Sequence, residues 1–187
     1  MAFLRRTLIK LLTVGLLSGA FANDKLITYI EECERGGHRI AAIVGCGKKC
    51  DDDFFDGITY MQPHKHVGHY YYIDQNPAVR PDLCKNFLEI TSSDIPDQTF
   101  QTIYFEYMTP SLQVNPQGYF STAYRMLQPG GIVAFDAFLW DNPDAWRLFP
   151  LTEALDNIGF KDIKELKGQN QFNSRTGNLI LAKRPLK

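Results

Sequence analysis

The segment RIAAIVGCGKKCDDD, Arg39 to Asp53, joins an apolar run to a Gly-x-Gly break at Gly45-Cys46-Gly47. Glycine at the end of a strand lets the backbone approach a ligand closely and turn its N–H groups toward it. An acid ending the neighbouring strand accepts the hydroxyls of a ribose, and Asp74 closes the aromatic run HYYYID in that position. Gly45, Cys46, Gly47 and Asp74 together point to a nucleoside-type pocket. A dinucleotide fingerprint needs a third glycine at position 50, and this chain has Cys50 there.

Other reactive side chains support less. His64, His66 and His69 in HKHVGHYYY have an H-x-H spacing without an evident fourth ligand, so solvated histidines and no metal are expected. Four cysteines, Cys33, Cys46, Cys50 and Cys84, permit disulfides in an oxidising compartment, but they contain no C-x-x-C unit. Cys46 reads as a small loop residue and Cys84 as a buried one, and no bridge is assigned. Phe54-Phe55 and Tyr70-Tyr71-Tyr72 read as core.

These residues must be positioned by an alternating α/β chain. DKLITYIEECERG, 24–36, carries Leu26, Ile27, Ile30 and Cys33 at helical spacing and stops at Gly36-Gly37. Ile40 to Val44 is continuously apolar, as a strand buried on both faces of a parallel sheet is. Further strands are expected at 69–74, within 82–90, at 100–107 and at 131–139, with helices at 118–127 and 145–158. Pro129-Gly130-Gly131 closes the first of these helices, and Gly159 closes the second. KDIKELK and GNLILAKR follow without a helix between them, which predicts an antiparallel edge.

The ordered pieces IVGCG, YIDQNPAVRPDL, SDIPDQTFQTIYFEY and YRMLQPGGIVAF resemble the class I S-adenosylmethionine-dependent methyltransferases, of the methyltransferase type 11 kind, from about Ile40 to the C-terminus. The resemblance implies a Rossmann-like methyltransferase fold: a mostly parallel seven-stranded sheet with helices on both faces and an antiparallel edge strand. It implies S-adenosylmethionine as cofactor and methyl transfer to a small molecule or a protein side chain. Carried over, Gly45, Cys46 and Gly47 line the cofactor, Asp74 holds its ribose, and Gln75 flanks adenine. Asn86 stands where an acid often lies near the adenine amine. Glu106 and Tyr107 end the fourth strand, where this family places substrate-facing residues, and Glu106 becomes the candidate base or partner of the cofactor's amine. Asp136, inside the fifth strand, reads as structural.

The departures are specific. Ile43 replaces an acid two residues before the first glycine, Lys49 replaces the third loop glycine, and Phe100-Gln101 replaces an FD pair. Lys49 either pairs with the methionine carboxylate or fills the pocket. The competing reading is a non-catalytic, exported binding protein that keeps the fold.

Residues 1–22 are set apart from the folded domain, 23–187. Arg5, Arg6 and Lys10 form a positive head, Leu11 to Leu17 a short apolar core, and Ala20-Phe21-Ala22 an A-x-A cleavage site. The apolar run is shorter than the roughly 20 residues of a membrane span. Export by a general secretory signal is expected. The weaker alternatives are the twin-arginine route suggested by RRTLIK, an uncleaved membrane anchor, and a cytoplasmic enzyme. The formal charge of −1 and the lack of a basic run beyond this head give no electrostatic case for nucleic acid. N-terminal sequencing of the protein from its producing cell should find Asn23 first. Recovery of Met1 or Ala2 in a soluble cytoplasmic pool contradicts processing.

Overall fold

The computed structural model describes residues 24–45, 70–106, 108–137, 149–172 and 175–187. Its elements run α1 (Asp24–Gly36), β1 (Ala41–Val44), β2 (Tyr71–Asp74), β3 (Leu83–Cys84), β4 (Phe100–Phe105), α2 (Thr109–Val114), α3 (Pro116–Met126), β5 (Leu127–Ala137), α4 (Phe149–Ile158), β6 (Lys161–Phe172) and β7 (Arg175–Lys183). Single 3-10 turns, Pro77–Val79 and Phe87–Glu89, follow β2 and β3. The seven strands form one sheet in the order β3-β2-β1-β4-β5-β7-β6. Strands β1 to β5 are parallel, and β7 runs antiparallel between β5 and β6. This is the Rossmann-like methyltransferase fold, with the predicted antiparallel edge.

The central strands are apolar on both faces because both faces are buried. Ala42, Val44, Tyr71, Ile73, Ile103, Phe105, Val133 and Phe135 point to one side. The alternate residues Ala41, Ile43, Tyr70, Tyr72, Tyr104 and Ala134 point to the other. Leu26, Tyr29 and Cys33 of α1, Leu112 of α2, Phe120, Ala123 and Met126 of α3, and Leu151 and Leu155 of α4 all join the first cluster. These helices pack against the first face.

One side chain completes the start of β1. In a parallel strand, alternate residues bond opposite neighbours. Ile40 and Val44 accept from Gln101 and Glu106 on the β4 side, whereas Gly45 donates to Ile73 on the β2 side. Ala41 therefore faces β2, where the pairing opens at Ala42 and Tyr71. The Tyr29 hydroxyl braces this end of the ladder, donating to the Ala41 carbonyl at 2.8 Å and accepting from the Ala41 N–H at 2.9 Å. Burial pushes the Tyr29 phenol above its ordinary range, so it stays protonated and keeps its donor.

The short third strand expected within 82–90 is Leu83–Cys84, and it passes directly into the turn Phe87–Glu89, which Asn86 caps by accepting from Leu88 N–H at 3.1 Å. Two expectations change. Cys84 is exposed rather than buried, on this edge strand; both it and the buried Cys33 are free thiols. Pro129-Gly130-Gly131 does not close a helix but lies within β5, since α3 already ends at Met126. A Cβ on Gly131 would lie 2.8 Å from the Gln128 carbonyl and 3.2 Å from that of Gln101, so only glycine lets β5 lie against β4 there. The short α2 has no counterpart in the sequence pattern, because its six residues are too few to show a helical period.

No helix among the described residues is long and apolar enough to cross a membrane. Tyr29→Phe should remove both hydrogen bonds to Ala41 and cost about 1–3 kcal/mol. Thermal unfolding checks this as a fall of several degrees in Tm with an unchanged far-ultraviolet circular dichroism spectrum; an unchanged Tm would remove Tyr29 from the scaffold.

Candidate functional site

The parallel registers bring four chain positions level at the carboxyl edge of the sheet. Asp74 stands opposite Cys84, Val44 is level with both Ile73 and Phe105, and Gly45 and Glu106 each lie one residue beyond their strands. The resulting row is Cys84, Asp74, Gly45, Glu106. With strands about 4.8 Å apart, it spans roughly 14 Å. Ligands of open α/β sheets bind outside such an edge, where the strand order reverses. Here the reversal falls at β1, whose neighbours β2 and β4 lead to opposite ends of the sheet.

Gly45 occupies the centre of the row. Its φ is +78°, a left-handed conformation that glycine adopts without strain. Its N–H donates to Ile73 at 2.9 Å, continuing the ladder one residue past β1. A Cβ here would lie 2.5 Å from Met108 Cγ and 2.8 Å from both Met108 Sδ and the Glu106 carbonyl oxygen. A side chain would thus fill the notch between β1 and β4.

Asp74 and Asn86 are set by turns of the same kind. Asp74 Oδ1 accepts from Asn76 N–H at 2.8 Å, which fixes the carboxylate at the strand end. Asn76 in turn caps the turn Pro77–Val79, accepting from Ala78 N–H at 3.0 Å. Lys85 N–H donates to the Asp74 carbonyl at 3.0 Å and carries the β2–β3 pairing one step further, directly before Asn86. The Lys85 ammonium reaches Asp94 at 2.7 Å, and Asp94 also accepts from Thr91. Partial burial raises the Asp94 pKa, but the hydrogen bonds from Lys85 and Thr91 outweigh it and hold the carboxyl below its usual range. Arg125 ties the same loop to α3, donating to Ile90, Ile95 and Asp97. The arrangement presents Asp74, the exposed Gln75 and Asn86 as one edge.

Glu106 is 3% exposed, a depth at which a carboxyl group is held by partners. Its N–H donates to Val44 at 2.8 Å, so it is fixed from the first residue beyond β4. The structure therefore brings together Gly45, Asp74, Gln75, Asn86 and Glu106. Cys46, Gly47, Lys49, Cys50, Phe54, Phe55, Tyr107 and the three histidines, His64, His66 and His69, lie outside the described residues, as does the proposed signal. Asp136 lies in β5 opposite Leu179. Ile43, at the departure from the family's acid, is fully buried in the second face. Met108 went unnoticed in the sequence, since a lone methionine after a strand carries no spacing signal. No cluster of metal-ligating side chains occurs among the described residues.

No protein-family model and no curated protein matches this sequence. Solved structures do. The chain is similar to a SAM-dependent methyltransferase from Archaeoglobus fulgidus, with 12% identity, a TM-score of 0.56, and coverage of 85% of this chain and 94% of that one. It is also similar to the N-methyltransferase NodS from Bradyrhizobium japonicum WM9, with 14% identity, a TM-score of 0.52, and coverage of 87% and 94%. A 16S rRNA adenine methyltransferase from Catenulisporales acidiphilia gives 12% identity, a TM-score of 0.53, and coverage of 89% and 93%. At these identities the likeness is one of fold.

Gly45→Ala tests the notch. It combines a strained φ with a Cβ pressed against a backbone oxygen, and should cost about 1–3 kcal/mol. Urea unfolding measures the loss; a stability equal to wild type would show that the notch has room for a side chain.

Proposed function

We propose that this chain binds S-adenosylmethionine across the carboxyl edge of its sheet and transfers the methyl group to a small molecule or a protein side chain. One observation carries the reading: Gly45, Asp74, Asn86 and Glu106 share a single edge at the point where the strand order reverses. The residues suit the group. Asp74, held by the Asn76 N–H, would take the ribose hydroxyls, and Gln75 and Asn86 would border adenine. The backbone of Gly45, Cys46 and Gly47, with Lys49, would meet the methionine part. Related support comes from structures of this fold that hold S-adenosyl-L-homocysteine and SAM.

When bound, the cofactor supplies a methyl group already activated by its sulfonium, so the protein's main task is alignment. Glu106 is placed to orient the acceptor or take its proton. A second reading, a non-catalytic binding protein with the same fold, draws on Ile43, whose burial removes a polar anchor for the cofactor's amino end. Export ahead of Asn23 accompanies either reading as part of the proposal.

Isothermal titration with S-adenosylmethionine and S-adenosylhomocysteine tests the binding step, and absence of heat with both overturns it. Asp74→Ala should weaken binding by about 10–100-fold, the loss of charged hydrogen bonds, with the fold intact. If Glu106 serves as the base, Glu106→Gln should keep the cofactor while lowering transfer of labelled methyl into an extract of the producing cell by about 10²–10⁴-fold; if it holds the cofactor's amine, the same change should weaken binding instead. Equal transfer by wild type and Glu106→Gln would remove Glu106 from the chemistry.

A further inference from the structure

Met108 lies across the centre of the row. Its Cγ and Sδ lie 2.5 Å and 2.8 Å from where a Gly45 Cβ would be, so the thioether packs directly against Gly45. The other wall of that notch is the Glu106 carbonyl, also at 2.8 Å, which is main chain and fixed by the Glu106–Val44 ladder bond.

The two walls differ in what can move. The Met108 backbone is held: its carbonyl accepts from Leu112 N–H at 2.9 Å as α2 begins, and its φ and ψ are −96° and 5°. Its side chain is only partly buried, resting on the upper edge of the main core. An unbranched thioether with three rotatable bonds changes rotamer at small cost, and methionine commonly fills gaps of irregular shape. A β-branched side chain rooted at the same point would be stiff at χ1.

We propose that Met108 is a side-chain gate for this site: its thioether fills the notch over Gly45 when no ligand is present and swings aside to admit one. The proposal rests on the cofactor reading above and adds to it a residue that sets affinity and association rate. The binding-competent population is the fraction with Met108 turned away, so the apparent affinity falls by that fraction.

Removing the gate and stiffening it should act in opposite directions, whereas a purely structural contact would be harmed by both changes. With S-adenosylhomocysteine as probe, M108A should bind about three- to tenfold tighter, chiefly through faster association. M108I should bind more weakly and associate more slowly. Methionine-methyl NMR provides a ligand-independent measurement: a nuclear Overhauser contact between Met108 and the Gly45 Hα should be present in the free wild type and lost on adding the probe. Wild-type binding with M108A equal or weaker overturns the gate alone, as does absence of that contact in the free protein. Binding by M108A where wild type shows none supports both gate and cofactor reading, and failure of wild type and both variants to bind overturns the two together.

Discussion

Two backbone hydrogen bonds carry β1's pairing to the edge of its site. Gly45 N–H reaches the Ile73 carbonyl on one side, and the Val44 carbonyl receives Glu106 N–H on the other. They hold the ends of β2, β1 and β4 level, so that an acid, a glycine and a second acid fall in a row although they are far apart in sequence. The strand is only four residues long, and a slip of one residue would exchange its faces. Such a slip would drive Ala42 and Val44 out of the main core and carry Gly45 away from both neighbours. Register here is a condition for the site as much as for stability.

The rest of the scaffold protects that register. Tyr29 braces β1 at Ala41, where its pairing with β2 opens. Phe87, Phe105 and Tyr119 pack ring against ring beneath the site end of β4, with Phe87 and Tyr119 stacked at 5.9 Å and Phe105 edge-on to Phe87 at 5.1 Å. Phe87 directly follows Asn86, so this aromatic packing fixes the same turn that Asn86 caps. Arg125 and Lys85 hold the far side of that turn through carbonyls and carboxylates. Economy of chain is bought by this arrangement: two capped 3-10 turns stand after β2 and β3, where longer helices are common in this class of sheet.

Most of the architecture was legible because burial imposes periodicity. The continuous apolar run at Ile40–Val44, the helical spacing of Leu26, Ile30 and Cys33, and the helix-free pairing of the last two strands each followed from a face that must be covered. Gly45, Asp74 and Glu106 were legible as candidate site residues because each ends a strand. What stayed hidden depends on single contacts. Neither Tyr29's bridge to Ala41 nor Met108's position over Gly45 alters any period, and Pro129-Gly130-Gly131 has the composition of a turn while serving as a close crossing between β4 and β5. Cys84 was misplaced because an edge strand of two residues leaves one side chain exposed that a central strand would bury.

Ile43 links the second face of the sheet to the chemistry of the site. It stands level with Tyr72 and Tyr104, and all three belong to the second cluster. An acid at this position would place a carboxylate among aromatic rings, a costly burial without a partner. With isoleucine there, the acids level with Gly45 are Asp74, proposed for the ribose, and Glu106. A cofactor amino group bound at this end would be held by the carboxylate that is also the candidate base. These two roles compete: pairing with a cation lowers a carboxyl's pKa and makes it a poorer proton acceptor. If Glu106 holds the amine, the fitting acceptor is a nucleophile that is already deprotonated or loses its proton easily, such as an amine or a thiolate. If Glu106 serves as base, the amino end must be met by the loop beyond Gly45, where the positive charges of Lys48 and Lys49 suit the carboxylate of the methionine part and oppose its ammonium. On the proposed cofactor reading, these charges favour the first division of labour: lysine for the carboxylate, Glu106 for the amine, and an acceptor that brings its own nucleophilicity.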